Sequence, residues 1–315
     1  MKTLRHLIVR KGVSILILAT SLGLANAFAD SGGGPNLLSS AALIVDARSG
    51  ERIYAKNPER VTPIASITKL MTAIVVLDAR QPLDEMLTID ISDLDFLKGS
   101  RSRLSIGSEL SRREMLRLAL MASENRAANA LGRYYPGGLN AAVKAMNAKA
   151  AALGMRHTRF ADPTGLSPDN VSTADDLARL VVAANEFPLI REFSTQPATE
   201  VAVEPSGRLL QFGNSNALVK SDSWQIHLQK TGFIREAGRC VVMLAHIASR
   251  PVVMVLLDSA GRFGRLGDAQ RIRTWIETGE VLPLPPPEPV RVKTGKIKRG
   301  KVAVKRTSGA PKRRR

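Results

Sequence analysis

Runs of strand-forming residues lie towards both ends of the central part of this chain, and helical patterns fill the sequence between them. Near the N-terminal end, residues 42–45 (ALIV) and 52–55 (RIYA) flank the turn-like segment 47–50, as in a hairpin. Residues 240–244 and 252–257 form two β-rich runs near the C-terminal end. The pattern therefore predicts an α+β layered architecture, in which the edge strands of one sheet come from distant segments.

Apolar residues between these runs repeat at helical spacing. Residues 66–79 are apolar on most sides, so we expect this helix to lie near the centre of the fold. Four further helices are predicted by spacing and by capping residues: residues 115–120 after Ser111 and Glu114, residues 139–153 before Gly154, a segment from Thr173 and Asp176 to Ala184, and residues 266–277. The middle of the chain is therefore predicted to be mainly helical.

The positive charge of the chain is concentrated at its two ends. Of the formal net charge of +18 at pH 7, residues 1–29 contribute +4 and residues 291–315 contribute +12, which leaves +2 for residues 30–290. A nearly neutral folded part does not favour nucleic-acid binding, and no nucleic-acid partner is expected.

The N-terminal segment has the pattern of a secretory signal. Basic residues up to Lys11 precede the uncharged residues 12–25, and A-x-A cleavage sites end at Ala27 and Ala29. Residues 1–29 are therefore predicted to be a signal peptide; an uncleaved N-terminal anchor is the alternative. Export would place the remaining motifs outside the cytosol.

The C-terminal end predicts two segments beyond the folded domain. Residues 282–290 are rich in proline and indicate a semi-rigid linker. Residues 291–315 hold twelve Lys and Arg, no acid and few apolar residues, so we expect a disordered basic tail. The folded domain is then predicted to span residues 30–281. Contact of the tail with an anionic surface is one hypothesis, and a solvated tail without a partner is the other.

Cysteine and histidine residues give no sign of a redox or metal site. The single cysteine, Cys240, excludes an intramolecular disulfide, and its apolar surroundings indicate a buried, inert thiol. His157, His227 and His246 show no zinc-type spacing and are interpreted as structural. We therefore expect no metal and no cofactor.

Ser66 and Lys69 are spaced i, i+3 on a predicted helix, which places their side chains on one face. A serine hydroxyl becomes a nucleophile when a base takes its proton, and a lysine acts as that base when burial or a nearby cation lowers its pKa. A pair on the surface of a helix is the alternative interpretation of this motif taken alone.

Ser123 and Asn125 form a second candidate pair, in the sequence Ser-Glu-Asn between predicted helices. On a loop, both side chains can face one cleft, where the serine relays a proton and the asparagine binds a peptide amide. The alternative is that Ser123 is the N-cap of a helix running to Leu131.

Lys230, Thr231 and Gly232 follow a segment, residues 224–228, that alternates like a strand. The lysine supplies a positive charge, the threonine a hydroxyl donor, and the glycine a close approach to the backbone. The N–H groups of a strand edge could hold an extended peptide and form half of an oxyanion hole. A turn at a strand end is the alternative.

The three motifs occur in the order found in β-lactamases and penicillin-binding proteins. From about Leu43 to Val281 the chain resembles the low-molecular-mass serine DD-peptidases (peptidase S11), and within them most closely the D-alanyl-D-alanine endopeptidase branch. Beyond the three motifs, the similarity is carried by residues 63–73, 121–128, 162–166, 237–240 and 273–279. The resemblance implies a β-lactamase/DD-peptidase-like fold, with a mainly antiparallel sheet flanked by helices and an all-helical region inserted.

The resemblance also implies the chemical roles of the motif residues. Ser66 would be the nucleophile that forms an acyl-enzyme, and Lys69 would be its base. Ser123 would pass the proton towards the leaving amine, and Asn125 would bind the amide of the substrate.

Further roles implied by the resemblance concern the third motif. Lys230 would keep Lys69 neutral by charge repulsion and, with Thr231, would hold the carboxylate side of the substrate. The N–H groups of Ser66 and Phe233 would form the oxyanion hole. One departure is Ile234, because the family often has a threonine two residues after the glycine.

The predicted function is a periplasmic D-alanyl-D-alanine endopeptidase, with possible DD-carboxypeptidase activity. Its substrates would be peptidoglycan muropeptides, and β-lactams would inhibit it covalently. A β-lactamase is one alternative, but the E-x-x-L-N stretch of class A enzymes is absent between Asn125 and Lys230. A non-catalytic protein that binds the wall or another polyanion through its tail is the other. The tail has no amphipathic apolar face, so we expect a soluble or loosely surface-associated enzyme.

Overall fold

The structure is a computed structural model that describes residues 33–286. The predicted signal peptide and basic tail lie outside the described residues, and the linker is described only as far as Pro286. Within residues 33–286, none of the helices has the length and apolar character needed to span a membrane.

Strands and helices of the described chain follow one another in the following order. The strands are β1 (Ser39–Asp46), β2 (Arg52–Lys56), β3 (Thr62–Pro63), β4 (Met86–Thr88), β5 (Glu109–Ser111), β6 (Val171–Ser172), β7 (Ala198–Val203), β8 (Arg208–Gly213), β9 (Gln225–Ile234), β10 (Gly238–Ile247) and β11 (Arg250–Ser259). The helices are α1 (Thr68–Asp78), α2 (Arg112–Met121), α3 (Asn125–Arg133), α4 (Gly138–Ala152), α5 (Ala174–Asn185), α6 (Pro188–Thr195) and α7 (Gly264–Thr278).

A five-stranded antiparallel sheet, in the order β2-β1-β11-β10-β9, joins the two ends of the described chain. Its edge strands, β2 and β9, come from distant segments, and helices α1 to α6 lie between them in sequence. The predicted α+β fold with an inserted helical region is therefore confirmed.

Both faces of the central strands are buried, which explains why β10 and β11 are continuous apolar runs in the sequence. Val242 and Leu244 pack into the larger core shared with the helical region. Val241 and Met243 point to the opposite face, where Ala269 and Ile272 of α7 complete a second, smaller core. A strand covered on both faces loses the polar alternation of an exposed sheet.

The hairpin between β10 and β11 differs from the prediction, which placed the turn at residues 249–251. Its two loop residues are Ala248 and Ser249, with φ of +50° and +62°, as in a type I′ turn. Pro251 belongs to β11 and pairs with His246. A proline near the start of a strand costs the sheet little, because few ladder bonds are formed there.

Capping residues define the helix ends much as predicted. Ser111 accepts a hydrogen bond from the backbone N–H of Glu114 at 3.2 Å, and Thr173 accepts one from that of Asp176 at 3.1 Å. Gly154, with φ of +71°, follows the end of α4. Helix α1 is buried along nearly its whole length, which confirms its central position.

Candidate active site

Ser66 lies in a 3-10 turn, Ala65–Ile67, immediately before α1. The predicted helix over residues 66–79 is thus confirmed only from Thr68 onward, because the turn before it is wound more tightly. Ala65 has φ of +48°, a conformation that non-glycine residues rarely adopt and that is often found at functional sites. The strained residue therefore directly precedes the candidate nucleophile.

Two glycines allow other segments to press against the backbone at Ser66. A Cβ atom on Gly165, which has φ of +80°, would lie 2.0 Å from the carbonyl oxygen of Ala65. A Cβ atom on Gly232 would lie 2.8 Å from the carbonyl oxygen of Ile64 and 3.2 Å from the Ser66 nitrogen. The loop after Asp162 and the edge strand β9 thus hold the backbone of the candidate nucleophile from two directions.

The Lys69 side chain is buried, and its Nζ atom has three hydrogen-bond partners. These are Ser66 Oγ at 2.9 Å, Asn125 Oδ1 at 2.7 Å and the Thr164 carbonyl oxygen at 2.6 Å. A neutral amine has two N–H groups and one lone pair. Because the Asn125 and Thr164 oxygens can only accept, they occupy both N–H groups and leave the lone pair for the Ser66 hydroxyl.

Burial lowers the pKa of Lys69 to about 7, and the carboxylates of Asp162, Glu124 and Asp95 act in the opposite direction. The resemblance implies that repulsion by Lys230 keeps Lys69 neutral. Here the main cause is loss of water around the ammonium. A substantial fraction of Lys69 is consequently a free amine near neutral pH.

Ser123 and Lys230 form a second serine–lysine pair. Lys230 Nζ donates to Ser123 Oγ at 2.8 Å and to the carbonyl oxygen of Thr231 at 2.9 Å. Ser123 has φ of +61° and precedes α3 without capping it; Glu124 is the N-cap and accepts from the N–H of Arg126. The alternative interpretation of Ser123 as an N-cap is therefore wrong.

Lys230 is fully buried, and its pKa is lowered well below the ordinary value of lysine. Burial is the main cause, and the positive charges of Lys69 and Arg265 add to it. The Arg265 guanidinium also donates to the carbonyl oxygen of Gly232 at 2.8 Å. A carboxylate bound beside Lys230 would favour its charged form, because an opposite charge raises the pKa of a lysine.

Asn125 is the first residue of α3, and its amide links Lys69 to the loop before β5. Its Oδ1 atom accepts from Lys69, and its Nδ2 atom donates to Ser100 Oγ at 2.9 Å. The amide nitrogen carries two hydrogens, so one donor remains for a substrate carbonyl.

Strand β9 carries the third motif along the edge of the sheet. Thr231 Oγ1 donates to Ser215 Oγ at 2.8 Å, while the Phe233 side chain is exposed. Ile234, where the family often has threonine, is buried in the larger core. This side chain thus adds no polar group to the cleft.

Several polar neighbours of the motif residues were missed as site residues from the sequence. Thr164 contacts Lys69, Ser100 contacts Asn125, and Ser215 contacts Thr231. Asp162 closes the loop that presents Thr164, by accepting from the N–H groups of Thr164 and Gly165. The sequence Asp-Pro-Thr-Gly at residues 162–165 was the signal that could have indicated Thr164. Ser100 and Ser215 lie in no such motif, so the sequence gives no sign of their contacts.

Cys240 is buried and reduced, as predicted, and burial raises its pKa to about 11. His227 and His246 are brought together by the pairing of β9 with β10, with Nε2 of the first 2.6 Å from Nδ1 of the second. Among the described residues no group of three or more His, Cys, Asp or Glu side chains is placed to hold a metal ion.

An α+β fold in which a buried lysine contacts a half-buried serine is typical of serine peptidases that use a lysine as base. The chain belongs to the peptidase S11 family, whose model, described as D-alanyl-D-alanine carboxypeptidase, matches residues 29–261. It is 50% identical over 280 residues to the D-alanyl-D-alanine endopeptidase of Pseudomonas aeruginosa, covering 87% of this chain and 90% of that protein.

Two further comparisons agree with this family. The D-alanyl-D-alanine endopeptidase of Escherichia coli is 52% identical over 251 residues, which cover 80% of this chain and 81% of the relative. The crystal structure of the Streptomyces K15 DD-transpeptidase superposes with a TM-score of 0.72 at 26% identity, over 77% of this chain and 98% of that one. The predicted family and the DD-peptidase-like fold are thus confirmed.

Proposed function

We propose that this protein is a D-alanyl-D-alanine endopeptidase that cleaves the DD-cross-links of peptidoglycan through an acyl-enzyme on Ser66. The observation that carries the proposal is the hydrogen bond between Ser66 Oγ and the buried Lys69 Nζ, an amine with a pKa of about 7. Identities of 50% and 52% to two proteins named D-alanyl-D-alanine endopeptidase support the substrate class.

In the acylation step, the Ser66 proton moves to the lone pair of Lys69 while Oγ bonds to the carbonyl carbon of D-alanine. Asn125 and Thr164 accept hydrogen bonds from the Lys69 nitrogen throughout, so the amine keeps its position as it becomes an ammonium. The carbonyl oxygen gains negative charge, which the N–H groups of Ser66 and Phe233 stabilise in this proposal.

Collapse of the intermediate breaks the bond between carbonyl carbon and amide nitrogen. Ser123 gives its proton to the leaving amine, and the proton held by Lys69 replaces it, with Lys230 stabilising the Ser123 oxygen meanwhile. A water molecule then attacks the ester carbon on Ser66 and gives one proton to Lys69. The bond between that carbon and Ser66 Oγ breaks, the proton passes from Lys69 to Oγ, and the carboxylic acid product loses its own proton to solvent as it leaves.

Substrate binding in this proposal uses groups beside the two serine–lysine pairs. The free Nδ2 hydrogen of Asn125 binds a substrate carbonyl. Lys230 binds the carboxylate side, and Thr231 turns its hydroxyl hydrogen from Ser215 to the carboxylate. A β-lactam carries an amide carbonyl and a carboxylate in a similar arrangement, so it would acylate the same Ser66.

Two alternative activities share this chemistry. A DD-carboxypeptidase releases a terminal D-alanine instead of a cross-linked amine, and we include it as a secondary activity. A β-lactamase must also deacylate rapidly, and no E-x-x-L-N stretch lies between Asn125 and Lys230 to supply the usual water-activating glutamate. We therefore propose a peptidase that β-lactams inhibit.

We also propose a periplasmic location for this activity. The N-terminal pattern supports export, and a cross-linked wall peptide is found only outside the cytosol. The basic tail, with twelve positive charges in residues 291–315, would contact anionic lipid, lipopolysaccharide or wall polymers. The tail is proposed to act in location and not in catalysis.

Digestion of purified muropeptides tests the substrate assignment. Cross-linked dimers and pentapeptide monomers are incubated in parallel with the wild type and with Ser66→Ala. We expect the wild type to convert dimers to monomers faster than it trims pentapeptides, and the variant to do neither. Faster trimming than dimer cleavage would make the protein a carboxypeptidase, and many turnovers of a chromogenic cephalosporin would make it a β-lactamase.

A further inference from the structure

A chain of hydrogen bonds leads from Asp95 through Ser100 and Asn125 to Lys69. Asn125 Oδ1 accepts from Lys69 Nζ at 2.7 Å, and Asn125 Nδ2 donates to Ser100 Oγ at 2.9 Å. We propose that Ser100 and Asp95 are positioning residues: they fix the orientation of the Asn125 amide and thereby direct the lone pair of Lys69 to Ser66. The inference rests on the function proposed above.

The orientation of the Asn125 amide matters because its two ends have nearly the same shape and opposite hydrogen-bonding character. With Oδ1 towards Lys69, the amide accepts an N–H of Lys69 and leaves the lone pair free. With Nδ2 towards Lys69, the amide would donate to that lone pair. Ser66 would then have no base, although each residue would be in place.

Ser100 alone does not decide between these orientations, since a hydroxyl both donates and accepts. Asp95 settles the direction. Its Oδ2 atom accepts from the backbone N–H of Ser100 at 2.8 Å, so the carboxylate lies beside the Ser100 hydroxyl, and a carboxylate can only accept. The Ser100 hydrogen therefore points to Asp95, its oxygen accepts from Asn125 Nδ2, and Oδ1 is left facing Lys69.

Asp95 is held in the ionised form that this series of hydrogen bonds requires. Its Oδ1 atom accepts from the N–H groups of Leu97 and Lys98 at 2.9 and 2.8 Å, and its Oδ2 atom accepts from that of Ser100 at 2.8 Å. Partial burial opposes ionisation, but the hydrogen bonds from Ser100, Lys98 and Leu97 outweigh it and lower the pKa of Asp95. The group therefore stays an acceptor across the neutral range.

The segment around Ser100 is also attached to the opposite side of the cleft. Lys98 Nζ lies 2.6 Å from Glu236 Oε1, in the turn between β9 and β10. This ion pair and the Asp95 cap fix the backbone that presents Ser100. The positioning device thus connects to the strand that carries the third motif.

The test compares Ser100→Ala with Ser100→Thr, which keeps the hydroxyl, and with Ser102→Ala. Ser102 is a matched control, because its hydroxyl contacts only the backbone of Leu104 in the same loop. For each variant, the second-order rate of acylation by a fluorescent penicillin is measured from pH 5 to 9, together with the melting temperature.

Ser100→Ala is expected to lower the plateau rate of acylation by tenfold or more and to move its acid limb to lower pH. The limb moves to lower pH because Asn125, once it has lost its hydrogen bond to Ser100, can turn Nδ2 towards Lys69. That orientation disfavours the ammonium and lowers the pKa of the lysine. Ser100→Thr and Ser102→Ala should keep both the rate and the limb. A loss of packing alone would reduce rate and melting temperature without moving the limb, and that result overturns the proposal.

A second measurement tests whether the effect of Ser100 on acylation passes through Asn125. If Ser100 acts through Asn125, adding Ser100→Ala to Asn125→Ala should change acylation by less than about twofold. An equal loss in both backgrounds overturns the inference. Should Ser100→Ala fail to fold, Asp95→Asn replaces it. Because the charge of Asp95 also raises the pKa of Lys69, the shift of the acid limb is compared with and without Asn125→Ala, and an equal shift in both backgrounds overturns the inference. Failure of the wild type to be acylated would contradict the proposed function itself. An acid limb that does not move in Ser100→Ala would contradict this inference alone.

Discussion

At the scale of single residues, the proposed site depends on a lysine that is buried among hydrogen-bond acceptors and whose lowered pKa would let it act as a base. Lys69 has two oxygen acceptors that fix its N–H groups and one hydroxyl that faces its lone pair. Burial brings its pKa to about 7. The same side chain at a helix surface would be protonated near neutral pH and unable to accept the serine proton.

Lys69→Arg tests whether this side chain is the base. Arginine keeps the positive charge and much of the length, but it does not lose its proton in a protein. We expect acylation by penicillin to fall by about a hundredfold or more. The rate is measured by stopped incubation and gel fluorescence. A variant that acylates within about tenfold of the wild type would exclude Lys69 as the base.

The pH dependence of the wild type follows from the same lysine. Because the pKa of Lys69 is lowered to about 7, the neutral amine is the minor form at pH 5 to 6 and the major form above pH 8. The acylation rate should therefore rise with pH, with a midpoint near 7. A rate that is flat from pH 5 to 9, with intact folding over that range, would contradict this account of the base.

Gly165 tests how closely the loop after Asp162 fits the nucleophile. Gly165→Ala would place a methyl group 2.0 Å from the carbonyl oxygen of Ala65, so the backbone at Ser66 must move. Gly154→Ala is the matched control, since Gly154 has a similar φ of +71° but open space around its Cβ position. We expect Gly154→Ala to cost about 1 kcal/mol of stability with normal acylation, and Gly165→Ala to lose acylation more than tenfold. Equal acylation in the two variants would show that the close approach is unimportant.

At the scale of helices and strands, the sequence predicts those features that are determined by local sequence patterns. The buried runs of β1, β10 and β11 and the caps at Ser111 and Thr173 are local features, and the structure has them where expected. The spacing of Ser66 and Lys69 likewise brings their side chains together.

Features set by contacts between distant segments were not predictable in the same way. Thr164 and Ser100 reach the site because their loops pack against α1 and α3. Thr164 is 95 residues along the sequence from Lys69, and Ser100 is 25 residues from Asn125. The positive φ of Ser123 is also imposed by its surroundings, since serine has no intrinsic preference for it.

The turn between β10 and β11 offers a test at this scale. Ala248 and Ser249 both adopt positive φ, which Asn-Gly accommodates with less strain. The double variant A248N/S249G should raise the free energy of unfolding by roughly 1 kcal/mol in urea titrations. Acylation should be unchanged, because this turn lies several residues along β10 beyond Val242, the residue that pairs with Lys230. A loss of stability would contradict the assigned turn conformation.

At the scale of the whole molecule, the proposal assigns catalysis to the folded domain and location to the basic tail. The proposed catalytic groups belong to the nearly neutral residues 30–290, and the basic tail lies outside the described residues. A chain ending at Pro289 should cleave small soluble muropeptides at the wild-type rate. It should also lose most of its binding to wall sacculi or anionic vesicles, because each tail charge near such a surface contributes about 1 kcal/mol.

A matched control for the tail keeps its length and replaces its lysines and arginines with glutamine. Binding of the full chain should decrease as salt is raised, whereas the shortened and the glutamine-substituted chains should show little salt dependence. Equal binding by all three proteins, with the same response to salt, would show that the folded domain supplies the attachment.

The central claim is that Ser66 forms the acyl-enzyme, and one measurement tests it most directly. The wild type is treated with a β-lactam, digested and analysed by mass spectrometry, beside Ser66→Ala. The account predicts one β-lactam per molecule, attached to the peptide that contains Ser66, and none on the variant. A stable adduct on another residue, or a folded wild type that takes up none, would contradict it.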